Sequence, residues 1–202
     1  MNYHGDMQIT TIDEIKQDCY IIRDMQITKQ GQGTRIVRQF HFLTWPDHGS
    51  PLTTSGFMRF YDIIKETKTI HPIVVHCSAG VGRTGTFIAF DVLSDSMATT
   101  GIVDVYGTVV AMRRCRTAMV QSLDQYIYLY KLLVETTVLE NRGFYASEIG
   151  QVMARLNTKN HIGKSLLQSE YEDLHLIEAI NTKCIAANLA NPKLNRDGTV
   201  LP

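Results

Sequence analysis

The sequence predicts an α+β fold, a mixed twisted sheet flanked by helices. Two observations carry this. Short β-branched runs crowd residues 7–42, whereas beyond residue 52 apolar residues recur mostly at spacings of three and four. Strands followed by helices argue for α+β packing. A third observation is Ile73-Val74-Val75, followed by a glycine-rich turn and then a helical pattern. The 202 residues suffice for one sizeable core, since domains commonly run to about 100–150 residues.

In chain order, Met7-Gln8-Ile9-Thr10 and Cys19-Tyr20-Ile21-Ile22 read as strands. The segment from Met25 to Thr28 is separated from Arg35–Phe42 by Lys29-Gln30-Gly31-Gln32-Gly33-Thr34, a hairpin-like glycine loop. Residues 52–66 read as a helix, with Ser50 and Pro51 at its start and Phe57, Phe60 and Ile64 on one face. Ile73-Val74-Val75, bounded by Pro72, reads as a buried strand, and Phe87, Phe90, Leu93 and Met97 mark the helix after it. Val105, Val109 and Met112 suggest another helix, ending in the basic run Arg113-Arg114-Cys115-Arg116. A long amphipathic helix follows from about Ser122 to Leu139. After Glu140-Asn141-Arg142-Gly143 the character changes. Leu167, Tyr171, Leu174 and Ile177 mark a further helix, and residues 191–198 are polar and turn-rich.

Lys plus Arg equals 20 and Asp plus Glu equals 20, a neutral balance that gives no support for nucleic-acid or membrane-surface binding. No apolar run approaches the ~20 residues that span a bilayer, and the N-terminus does not read as a signal peptide. Cys19, Cys77, Cys115 and Cys184 form no C-x-x-C pair. A thiolate nucleophile needs a reducing compartment, so a cytoplasmic location is expected.

The chemistry concentrates in His76-Cys77-Ser78-Ala79-Gly80-Val81-Gly82-Arg83-Thr84-Gly85. A glycine-rich turn at a helix N-terminus points several backbone N–H groups into one concavity, where the helix dipole adds partial positive charge. That field favours thiolate at Cys77, and cysteines so placed have pKa values of roughly 3.5–7.5. Arg83 offers a planar fork for two oxygens of a tetrahedral oxyanion. Thiolate, cradle and fork in one loop imply phosphoryl transfer through a cysteinyl-phosphate.

The loop resembles the signature of the cysteine-dependent protein tyrosine phosphatases. Two further segments are similar to elements of the tyrosine-specific, receptor-type branch, in that family's order. Trp45-Pro46-Asp47-His48-Gly49-Ser50-Pro51 resembles its mobile general-acid loop, and Gln121-Ser122-Leu123-Asp124-Gln125-Tyr126 its glutamine loop. The resemblance implies the cysteine-dependent phosphatase fold and hydrolysis of phosphotyrosine in proteins, with no cofactor and no metal. It makes Cys77 the nucleophile, Asp47 the general acid, Arg83 and the backbone of Ser78, Ala79, Gly80, Val81 and Gly82 the phosphate cradle, and Thr84 the hydroxyl assisting departure of the sulfur. Gln121 positions the hydrolytic water with Gln125 assisting. His76 supports the thiolate through hydrogen bonds to nearby backbone, and Trp45 anchors the acid loop with Gly49 as its pivot.

Each residue also has a plainer reading. Asp47 suits a turn and Thr84 a helix cap, and Ser122-x-x-Gln125 is a capping-box pattern. Arg113, Arg114 and Arg116 read as a solvated helix end or as readers of acidic substrate flanks. Two functional alternatives stand beside phosphatase activity. One is a non-catalytic phosphotyrosine-binding module. The other is a dual-specificity or phosphoinositide phosphatase, which the absence of a loop lysine disfavours. The resemblance further implies that residues 1–145 are the C-terminal part of a catalytic domain, N-terminally truncated. Residues 146–202 would be a linker and the beginning of a tandem second phosphatase domain in the intracellular part of a single-pass receptor. Without the upstream strands, the 202 residues alone are expected to be poorly soluble or weakly structured, with negligible phosphatase activity.

Overall fold

The computed structural model describes residues 2–46, 49–139 and 146–180. They fall into two compact units, residues 1–74 and 75–202.

The first unit is built on a four-stranded meander: β1 (Asn2–His4), β2 (Met7–Lys16), β3 (Tyr20–Lys29) and β4 (Gly33–Phe42), paired in chain order. Residues 19–22 and 25–28 were expected as separate strands; 20–22 and 25–28 both lie within β3, and Cys19 sits in the bend just before it. The charged pair between them fits because each charge meets its opposite across the ladder. Arg23 faces Glu14 and donates to its carboxylate, and Asp24 faces Arg38, which holds it through two bonds of 2.7 Å. The glycine loop closes the β3–β4 hairpin as expected, with Gln32 N–H donating to Lys29 O and Gly31 at φ +78°.

All pairings among the described strands are antiparallel, whereas a mixed sheet was expected. Hairpin-linked strands can only pair antiparallel, and residues 73–75, read as a buried strand, join no ladder among the described residues. Residues 73–75 form no strand among the described residues, and Ile73 and Val74 are 60% and 85% exposed. The expectation of a buried strand there is thus corrected: β-branching favours an extended backbone but supplies no neighbour to pair with.

α1 (Ser55–Glu66) lays Phe57, Phe60 and Ile64 into the core of this unit, as the periodicity requires. Phe42 on β4 meets Trp45, Phe57 and Phe60 at centroid distances of 6.4, 6.0 and 5.1 Å.

The second unit is helical. α2 (Gly82–Thr100) ends on Gly101 at φ +70°, a left-handed cap. α3 (Val105–Cys115) begins on Asp104, whose carboxylate accepts Gly107 N–H at 2.7 Å. α4 (Leu123–Leu139) packs on α2, and Phe90, Leu93, Tyr128, Leu129 and Leu132 form the dry centre of the unit. A 3-10 turn, Ala146–Glu148, leads into α5 (Ile149–Leu156), an element the sequence reading did not identify. α6 (Leu166–Ile180) forms where expected, behind a capping box of Ser165 and Gln168. Its periodic residues Leu167, Tyr171 and Leu174 are exposed. Residues 140–143 and 191–198 lie outside the described residues.

Candidate active site

Cys77 sits in a loop that closes on its own sulfur. Gly80 N–H donates to Cys77 Sγ at 3.2 Å, and the turn that returns it passes through φ +70° at Gly80. A Cβ at Gly80 would also stand 3.1 Å from Arg116 Nη2, so glycine serves both the turn and the close approach. α2 starts five residues beyond Cys77, at Gly82, and its cap residue Val81 makes no side-chain hydrogen bond. The N–H groups of Val81 and Thr84 at this helix start act on the Cys77 sulfur.

Partial burial pushes the Cys77 thiol up. The Thr84 hydroxyl and the N–H groups of Thr84, Gly80 and Val81 outweigh that effect, and the pKa is lowered to about 7. Thr84 Oγ1 is buried and completes no hydrogen bond of ordinary geometry, so it acts on the sulfur as a facing dipole. Thr84 is also the third residue of α2 rather than its cap. His76 is exposed and forms no hydrogen bond among the described residues, and the backbone groups above act on the thiol in its place. Arg83 is half-buried in the first turn of α2. Beside the loop lies a cavity of about 380 Å³, lined by Cys77, Thr84, Ile88, Arg116 and Met119 among others.

The glutamine loop arrives against the same turn. A Cβ at Gly82 would meet Gln125 Nε2 at 2.9 Å, Gln125 Oε1 at 3.0 Å and Gln121 Oε1 at 3.3 Å. The two glutamines differ in freedom. Gln125 is buried, and its Oε1 accepts the N–H groups of Gln121 and Ser122 while its own N–H donates to Ser122 Oγ. That is the capping box, and it commits the Gln125 carbonyl to the helix end. Gln121 is exposed beside the loop.

The segment before Gln121 carries backbone strain. Ala118 and Val120 have φ of +60° and +57°. A β-branched residue in that region is a genuine outlier, at a cost of order 1–3 kcal/mol. Val120 is held there from several sides. Its N–H donates to Val81 O at 3.1 Å, and its side chain is 1% exposed. Arg113 donates from Nε to Met119 O at 2.9 Å and from Nη2 to Val120 O at 2.8 Å. Arg116 reaches back to Ala79 O at 3.1 Å. The sequence reading had placed Arg113 and Arg116 on a solvated helix end or against substrate. A run of three arginines shows charge, but not that two of them, though exposed, hydrogen-bond to backbone carbonyls.

Trp45 is buried, stacked edge-on against Phe42 and Phe57, and its Nε1 donates to Gly49 O at 3.1 Å. Gly49 has φ +86°. Asp47 lies outside the described residues. Among the described residues, no group of three or more His, Cys, Asp or Glu could hold a metal ion.

The model of the family described as protein-tyrosine phosphatase matches residues 1–135. The chain belongs to the protein-tyrosine phosphatase family. It is 35% identical over 205 residues to receptor-type tyrosine-protein phosphatase F of Danio rerio, covering 98% of this chain and 11% of that protein. Human receptor-type tyrosine-protein phosphatase alpha is 35% identical over 211 residues, covering 98% and 26%. Tyrosine-protein phosphatase 69D of Drosophila melanogaster is 33% identical over 208 residues, covering 98% and 14%. The chain thus spans about a tenth to a quarter of the length of these relatives. In this family member, the loop bearing the lowered thiol and the loop bearing Gln121 meet at Gly82. No helix among the described residues is long and apolar enough to cross a membrane.

Proposed function

We propose that this chain carries the nucleophile, phosphate cradle and general-acid loop of a receptor-type enzyme that hydrolyses phosphotyrosine in proteins. The single observation that carries the reading is the Cys77 thiol, lowered to about 7 by Thr84, Gly80 and Val81 in a loop at a helix start. At neutral pH about half of such a thiol is thiolate, the form that attacks phosphorus.

Cys77 Sγ forms a bond to phosphorus as the bond from phosphorus to the tyrosine oxygen breaks. Asp47 gives that oxygen its proton, because a phenol of pKa ~10 leaves slowly as the anion near neutrality. Arg83 and the amides of residues 78–83 hold the three equatorial oxygens, where charge accumulates. Water placed by Gln121 then attacks phosphorus, gives its proton to the Asp47 carboxylate, and displaces the Cys77 thiolate, which faces the Thr84 hydroxyl. Gln125 acts mainly through the helix cap. The site needs no metal, because the cradle supplies the positive charge.

We read residues 1–145 as the C-terminal part of the catalytic domain and residues 146–202 as a linker and the beginning of a second phosphatase domain. In support, the family match ends at residue 135 while the receptor-type relatives align over 98% of the chain. On this reading the chain lies on the cytoplasmic side of a single-pass receptor, with phosphotyrosine proteins as partners.

The test is Cys77→Ser beside Asp47→Ala in the full protein. C77S should abolish turnover of a phosphotyrosyl peptide while retaining its binding. Asp47→Ala should lower kcat by about 10²–10⁴ on that peptide and by less on an aryl phosphate with an acidic leaving group. An acid-quenched phosphoenzyme mapping to any residue but Cys77 overturns the reading. A wild-type protein that binds the peptide without turnover makes it a phosphotyrosine-binding module instead.

A further inference from the structure

Residues 118–120 are left-handed on both sides of Met119, and strain of this kind persists only where surroundings over-determine it. Here the surroundings can be named. Arg113 grips two successive carbonyls with one planar fork, Met119 O from Nε at 2.9 Å and Val120 O from Nη2 at 2.8 Å. On its other side the same segment donates Val120 N–H to Val81 O, the carbonyl that also accepts Gly85 N–H at the start of α2. Gly85 admits the approach, since a Cβ there would stand 2.4 Å from Val120 N. Gln121 is the next residue, and its Oε1 lies beside Gly82.

We propose that Arg113 is a positioning residue for Gln121: its fork holds the strained 118–120 turn and so fixes the place of Gln121 against the Cys77 loop. This rests on the water-positioning role proposed above for Gln121. Lysine cannot reproduce it, because a single ammonium has no fork to match two successive carbonyls. Arg113 touches no reacting atom, and its effect passes through backbone alone.

The proposal separates from a general structural role by two readouts in the full chain. One is amide hydrogen exchange. In Arg113→Lys, the Val120 N–H should lose most of its protection while Leu129 and Leu132 in α4 keep theirs. The other is pre-steady-state release of nitrophenol from para-nitrophenyl phosphate. R113K should show a burst of one equivalent followed by a slow phase, with kcat down by about 10²-fold, the scale of a 1 Å misplacement, and the burst rate unchanged. Should Arg113→Ala unfold, R113K decides. Native protection of Val120 in R113K overturns the proposal, and so does a fall in kcat without a burst. A wild-type chain releasing no nitrophenol counts against the proposed function instead, and Val120 exchange then decides the clamp alone.

Discussion

Trp45 Nε1 donates to the Gly49 carbonyl at 3.1 Å, so the two residues that bracket Asp47 in sequence are tied to each other. The indole is in turn buried edge-on against Phe42 and Phe57. Trp45 and Gly49 are thereby fixed to an aromatic cluster, with Gly49 in the left-handed region.

Trp45→Phe keeps the ring packing and deletes the N–H. Loss of one such hydrogen bond should lower stability by about 0.5–1.5 kcal/mol, read from urea unfolding. The kcat for a phosphotyrosyl peptide should fall more than that for an aryl phosphate with an acidic leaving group. Trp45→Ala should cost about 3–5 kcal/mol through the cavity it leaves. Equal catalytic losses across the two leaving groups would detach Trp45 from delivery of the acid.

The Cys77 thiol, lowered to about 7, should set the acid limb of reactivity. Alkylation of Cys77 by iodoacetamide should rise with pH and reach half its plateau near 7. The sign for stability follows the same shift. The folded protein holds the thiolate better than the unfolded chain, so the contribution is fully present at alkaline pH and is lost as pH falls through about 7. Thr84→Val removes a dipole that favours the thiolate, and should move the alkylation midpoint upward. A midpoint unchanged in T84V would remove Thr84 from the thiolate's environment.

Glu135 on α4 is buried with Oε2 unpartnered, and burial pushes its carboxyl above the ordinary range. An acid with a raised folded pKa stabilises the fold at low pH and loses that contribution as pH rises through the folded value. Glu135→Gln should therefore be more stable than the parent at neutral pH, by roughly 1–3 kcal/mol for an unpaired buried group. The advantage should shrink as pH falls toward 4. Thermal melts at several pH values would show it, and a Glu135→Gln variant less stable at neutral pH would contradict it.

Gly85→Ala places a methyl 2.4 Å from Val120 N, against backbone that cannot swing aside. Overpacking of this kind costs typically about 1–3 kcal/mol, and here it also separates the 118–120 turn from Val81. Activity should fall further than stability alone accounts for. Gly107→Ala offers a contrast. The atoms nearest its methyl all belong to the Asp104 carboxylate, which can rotate away at the loss of a cap worth about 1 kcal/mol. A G85A variant with native kcat would show that the contact is dispensable.

The sequence by itself determined most of the local elements and the family. Helices α1 to α4 and α6 were legible because side-chain period and turn glycines act within a few residues of themselves. The spacing from Cys77 to Arg83, and the Trp45 and Gln121 segments, were enough to identify the family. Only the tertiary structure decided which groups meet. Arg113 and Arg116 read as a charged run, yet their targets are carbonyls at residues 119, 120 and 79, the last of them 37 positions from Arg116. The left-handed turn at Val120 had no signal, since alanine and valine ordinarily avoid that region. Residues 73–75 show the same limit in reverse. β-branching predicts an extended backbone, but a ladder needs a neighbouring strand, and pairing is a property of two segments rather than one.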